Sequence, residues 1–288
     1  MKSQTIASIV AGAFALVAGA ATAADMPAVT KAPPLVGKAP VSPIFQFAFG
    51  ASVSTDYNFR GVSQSDRDWS FGGYFEGRYN SPVGQWYLGV AGWRIDWPTS
   101  YGFSDPSAEI DIIGGWRHTW GKASVDIGAI YYLYPSESLA IDSDFFEIYW
   151  KGAYAVSDKA SVGLNVFYSP DLLNYGDLIG SDVRSIYASL TSSYKFWSQG
   201  DWSGLVSGEL GHWWIRDTGF VSDPDYTYWN AGIAWTYKTV TLDLRYHDTD
   251  QSRADCASFL LTAIGNPAAR WCRDAYIATL KFDMTLPN

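Results

Sequence analysis

The chain has 288 residues and a formal net charge of −9, with only 17% charged side chains against 14 Trp, 19 Tyr and 15 Phe. The acidic balance argues against a nucleic-acid partner. So many rings on so little charge either fill a large soluble core or lie at the two boundaries of a lipid-facing barrel.

Residues 1–23 read as a secretory signal: Lys2 supplies the positive start, Ile6–Ala20 is apolar and small, and Ala21-Thr22-Ala23 is an A-x-A cleavage site. Beyond it no apolar run approaches the length of a membrane helix. Residues 24–43, rich in Pro, Ala and Lys, read as an extended periplasmic linker, because Pro cannot join a ladder.

From residue 44 the pattern is strand throughout. In Ile44–Gln64, Phe45, Phe47, Phe49, Ala51, Val53, Thr55, Tyr57 and Phe59 alternate with small or polar residues ending in Asp56, Asn58 and Arg60. That period of two predicts one long two-faced strand, with Tyr57 and Phe59 at the lipid boundary and Asp56 and Arg60 inside. Further strands are expected near 69–80, 85–97, 108–120, 123–134, 144–156, 160–169, 183–196, 202–214, 226–238, 240–247 and 275–286. The face assignment of the 202–214 strand is left open. The connections alternate between long (61–68, 98–107, 135–143, 170–182, 215–225, 248–274) and short (81–84, 121–122, 157–159, 197–201, 238–239). Twelve strands with loops sorted by length predict an all-β fold, a transmembrane antiparallel up-and-down β-barrel over 44–288, long loops outside and short turns in the periplasm.

With those faces, the lumen is lined by the acids Asp56, Glu76, Asp96, Glu109, Asp111, Asp126, Glu147, Glu209 and Asp283 and the bases Arg60, Arg78, Arg94, Arg117, Lys151, Arg245 and Lys281. Two readings follow. The charges either form a hydrated pore for passive diffusion of small hydrophilic solutes, or pair across a narrow interior and close it, leaving a structural or surface-interaction barrel. Eight strands leave room only for side chains and sixteen leave a channel, so twelve fall between.

Cys256 and Cys272 are expected to form a disulfide in the longest outer loop. Neither has a Cys or His neighbour at metal-ligand spacing, and no metal or cofactor is expected. The acid pairs Asp142/Asp144, Asp223/Asp225 and Asp248/Asp250 are read either as Ca²⁺ ligands or as solvated loop charge. His118, His212 and His247 are checked as catalytic bases. Asp248 adjoins His247 but adjacent strand residues face opposite ways, and neither G-x-S-x-G nor H-E-x-x-H occurs, so the chain is not expected to be an enzyme. Expected partners are outer-membrane lipid and lipopolysaccharide, the barrel-assembly machinery and small solutes.

The run Ser54-Thr55-Asp56-Tyr57-Asn58-Phe59-Arg60-Gly61-Val62-Ser63-Gln64-Ser65 resembles the opening S-x-Y-x-F-R-G-x-S-Q of the proteobacterial Gcw_chp family, also called the TorF family of porin-like proteins. Segments similar to that family's follow in order at Glu109–Ile112, Tyr131–Pro135 and Phe146–Tyr149. The resemblance implies a bacterial outer-membrane, porin-like barrel without an assigned substrate or catalytic residues. The chain departs from the usual terminal aromatic of such barrels, ending Leu286-Pro287-Asn288 with Phe282 further in.

Overall fold

The computed structural model describes residues 15–16, 30–31, 44–97, 106, 108–137, 142–216, 224–252, 255–256 and 271–287. The expected signal sequence and linker lie outside these residues, save for a two-residue pairing of Ala15–Leu16 with Thr30–Lys31. So does Asp223 of the outer acid pairs.

Twelve antiparallel strands close into one barrel. They are β1 Phe45–Ser54, β2 Ser70–Ser81, β3 Gly84–Trp93, β4 Glu109–Trp120, β5 Ala123–Leu133, β6 Phe145–Ala155, β7 Ala160–Ser169, β8 Ser185–Gln199, β9 Trp202–Ile215, β10 Tyr226–Tyr237, β11 Val240–Thr249 and β12 Ala275–Pro287. Each strand pairs with the next, and β12 returns to β1 in a seam that sets Leu280 against Val53 and Leu286 against Phe47. Closure matters because a barrel has no open edge: each strand has a ladder on both sides, which hydrocarbon requires. A bulge between Lys195 and Trp197 bends β8 near its turn.

The outer face is apolar at mid-height, where Leu88 is 66% exposed and Leu190 62%. A soluble protein rarely leaves such a continuous apolar belt uncovered. Rings gather near the short turns, where Phe45 lies against Tyr79, Trp86 against Trp116, and Trp202 against Tyr237. Trp69–Phe71 and Tyr246–Tyr276 mark the long-loop end. Belt and rings together are the lipid-facing surface of a transmembrane barrel. On β9 the faces resolve cleanly: Trp213 points in and Trp214 points out.

The first strand is shorter than its alternation predicts. β1 ends at Ser54, where Thr55 N–H still donates to the Ala278 carbonyl at 3.0 Å. The chain then leaves the wall and turns inward. Tyr57 and Phe59 therefore do not face lipid; Tyr57 is fully buried, and Phe59 packs edge-on against Trp213 on the far wall.

Candidate functional site

The inward segment is a miniature hairpin. Asn58 pairs with Ser63 and Phe59 with Val62, so Arg60-Gly61 is a two-residue turn. Both turn residues have positive φ, 49° and 91°, the conformation of a type I′ turn. Gly adopts it freely, whereas Arg does not and must be held there by its surroundings. Asn58 Oδ1 accepts from Gly61 N–H at 2.9 Å, and Gln64 N–H donates to the Tyr57 carbonyl at 2.7 Å. Asp56 ties the base of the hairpin, accepting from the Ser63 hydroxyl at 2.6 Å and pairing with Arg67 at 3.6 Å. Asp56 and Arg60, expected side by side on one face of a strand, thus take separate partners, Arg67 and Glu147.

From β1 the hairpin crosses the bore to the opposite wall. Arg60 Nη1 and Nη2 donate to the two Glu147 oxygens on β6 at 2.8 and 2.7 Å. Its guanidinium carbon lies 4.4 to 4.7 Å from the ring centres of Phe59, Phe167, Tyr187 and Trp213. The Tyr132 hydroxyl donates to Glu147 at 3.1 Å, and the Tyr226 hydroxyl donates to the Arg60 carbonyl at 2.9 Å. A charge-assisted, bidentate bond walled by π-faces is among the stronger contacts available to a buried cation. Closer to the hairpin's base, Tyr57 hydrogen-bonds Glu109, which also accepts from Tyr134.

The described ends of the β11–β12 connection meet the base of the hairpin. The Trp271 carbonyl accepts from Ser63 N–H at 2.7 Å and from Arg67 Nη2 at 3.2 Å. Cys256 and Cys272 are disulfide-bonded, and the Thr249 hydroxyl donates to the Cys272 carbonyl at 2.6 Å. The disulfide pins Trp271, the residue that touches the hairpin.

Below the hairpin the lumen is filled by paired polar side chains. Glu76 bonds both Arg78 and Arg117. Asp126 accepts from the Tyr87 hydroxyl at 2.6 Å, and Tyr87 meets Tyr149. Lys151 lies over the Tyr149 and Phe167 rings. Arg245 bonds Asp243, Asn230 and Ser207. Glu209 accepts from Tyr187 and Asn230. Tyr74 donates to Asp283 at 2.9 Å. Asp111 is buried beside Trp93 Nε1 at 3.3 Å, and Lys281 lies inward on β12 near Asp283. On the β7–β8 wall Ser161 bonds Ser193 at 2.8 Å, and Asn165 Nδ2 donates to the Ser189 hydroxyl at 3.2 Å. Glu76, Arg117, Ser189 and Glu209 are all buried, so water has little access at any of these levels; an open bore would leave them wet.

Two residues of the expected lining stand elsewhere. β3 ends at Trp93, and Arg94 and Asp96 lie past it at the rim, where they pair at 2.8 Å beside Asp68 and Trp69. The inward rings Tyr132, Tyr149, Phe167, Tyr187 and Trp213 were absent from the expected lining, although the alternation contains them: the first four each sit between two outward apolar residues, and Trp213 between His212 and Trp214. Of the histidines, His118 stacks with Trp116 and Trp120, His212 meets Thr227, and buried His247 bonds the Tyr228 hydroxyl at 2.8 Å while Asp248 bonds Tyr246. Among the described residues no cluster of His, Cys, Asp or Glu could hold a metal ion.

Residues 38–270 match a family described as a bacterial protein of unknown function, Gcw_chp. The chain belongs to the Gcw_chp family. Its characteristic opening run is therefore the hairpin that fills the mouth of the bore. No curated protein matches this Gcw_chp chain. Among solved structures it is similar to the KdgM porin, at 10% identity and TM-score 0.43, covering 82% of this chain and 98% of that one. It is also similar to the COG4313 outer membrane channel from Pseudomonas putida F1, at 13% identity and TM-score 0.46, with 89% and 98% covered. A Pseudomonas aeruginosa FadL homologue stands at 10% and 0.43, with 85% and 90% covered.

Proposed function

We propose that the protein is a porin-like channel of the bacterial outer membrane for small hydrophilic solutes, and that residues 56–65 are the plug that keeps it shut. The observation that carries this reading is how the bore is filled. Twelve strands enclose a bore of intermediate width; side chains fill its lower levels, and its mouth is occupied by a hairpin that is covalently joined to the wall only at its two ends. A barrel with no use for a bore needs no separable stopper, and the wall behind the stopper carries the carboxylates Glu109 and Glu147 among its rings. The lipid-facing belt suits outer-membrane lipid and lipopolysaccharide, and insertion would run through the barrel-assembly machinery.

A second reading is favoured by the paired charges below the plug: a permanently closed barrel whose outer loops act at the surface. Planar-bilayer recordings separate the two. The channel reading expects the wild type to be mostly silent and a variant with residues 56–65 replaced by a short Gly/Ser linker to show discrete conductance steps. A folded, inserted variant that stays silent would leave the closed barrel standing.

A further inference from the structure

The pocket that receives Arg60 is built almost entirely by the barrel wall. Glu147 comes from β6, and Phe167, Tyr187 and Trp213 come from β7, β8 and β9. The last three are directly opposed across successive strands, Phe167 to Tyr187 and Tyr187 to Trp213, so they form one row at one height. Of the rings around the guanidinium and the carboxylate, Phe59 alone belongs to the hairpin. When the hairpin leaves, a carboxylate and a row of three π-faces remain together. Glu147 is fully buried with Arg60 in place, its orientation fixed by Tyr132.

We infer that this pocket is a binding site for small organic cations of the guanidinium class, which Arg60 fills as an internal stand-in. The chemistry is selective. Two parallel N–H donors match both carboxylate oxygens, and a planar, weakly hydrated cation stacks on rings better than a compact ammonium does. Arg60 pays for its place with a left-handed backbone, which an external ligand would not carry. A solute of this class that enters from the loop side competes with Arg60 for Glu147 and releases the plug. The inference rests on the reading of residues 56–65 as a removable plug, but its binding step is measured separately from conduction.

The test uses the full-length protein and methylguanidinium chloride, with methylammonium chloride and NaCl at equal ionic strength as controls. Arg60→Ala, and Arg60→Gln to guard against loss of fold, are expected to melt lower than wild type and to regain most of that loss with methylguanidinium in a saturable manner. Methylammonium is expected to act at least about tenfold more weakly, and Glu147→Gln in the same background to abolish the effect. In wild-type bilayers, methylguanidinium is expected to raise the open fraction severalfold, and to fail to do so in Glu147→Gln. Absence of saturable stabilisation in both Arg60 variants overturns the site, even if the plug-replaced variant conducts. Stabilisation without any effect on wild-type opening also overturns the proposal, because Arg60 is then a structural pin only.

Discussion

A Cβ placed on Gly61 would lie 2.2 Å from Thr249 Cγ2 and 2.9 Å from Tyr228 Cδ2. The tip of the hairpin is therefore pressed against the β10–β11 wall as closely as a residue without a side chain allows. Gly61→Ala meets both this contact and a φ of 91°, and is expected to cost more than about 1 kcal/mol. Adding Thr249→Ser removes the nearest atom but not the backbone penalty, so it should recover only part of the loss. Thermal unfolding followed by circular dichroism checks both.

Arg60→Ala strands a buried carboxylate. The single change is expected to cost about 3–5 kcal/mol, and Arg60→Ala/Glu147→Gln together markedly less than the sum of the two single changes. Reversible urea unfolding in phospholipid vesicles measures the coupling; additive effects would show that the pair is not energetically joined.

The Cys256–Cys272 bond acts on the hairpin through Trp271. Replacing both cysteines by Ser removes a constraint of about 3 kcal/mol in the chain-entropy model. It also frees the carbonyl that holds Ser63 and Arg67. Bilayer recordings of the double variant are expected to show more frequent openings than wild type. Both cysteines are buried, so added reductant should reproduce the effect slowly.

Glu76 bridges two guanidiniums. Glu76→Gln leaves Arg78 and Arg117 facing each other in a dry interior, at an expected cost of about 3–5 kcal/mol. In the plug-replaced background the same change should shift the reversal potential under a KCl gradient towards anion preference.

The outward belt predicts depth dependence. Leu190→Arg, near the middle of β8, is expected to cost about 2–4 kcal/mol, and Trp202→Arg, at a turn, about 0–1 kcal/mol beyond lost packing. Unfolding from bilayers distinguishes them; equal costs would mean that Leu190 does not sit in hydrocarbon.

The twelve strands were legible because each wall segment has two environments, and a period of two reports them directly. Long and short connections added the direction. The same rule failed at residues 55–64, and for a physical reason. Alternation cannot distinguish a strand with one face in lipid from a hairpin whose two faces both meet protein, since rings satisfy either. Tyr57 and Phe59 keep the period while reversing its meaning. The signal that distinguishes them is Arg60-Gly61, a glycine at the second position of a two-residue turn, in the middle of a run otherwise suited to strand. Arg94 and Asp96 were misplaced because a strand's end is set by where its partner stops, and β4 begins only at Glu109. The ring row of Phe167, Tyr187 and Trp213 was hidden by the expectation that aromatics in a barrel face lipid.

The hairpin lies early in the chain, yet its anchors run from Glu109 through Glu147 and Tyr226 to Trp271. The last of them exists only once nearly the whole chain is in place, and Trp271 lies just before the strand that zips to β1. Contacts so distant in sequence must be bought with loop-closure entropy before they return anything. Drying the mouth of the bore is thus expected to come late in the folding of the molecule. A chain that zips with the hairpin outside is expected to keep a wet mouth until the hairpin folds in, by the reverse of the movement that opens the channel.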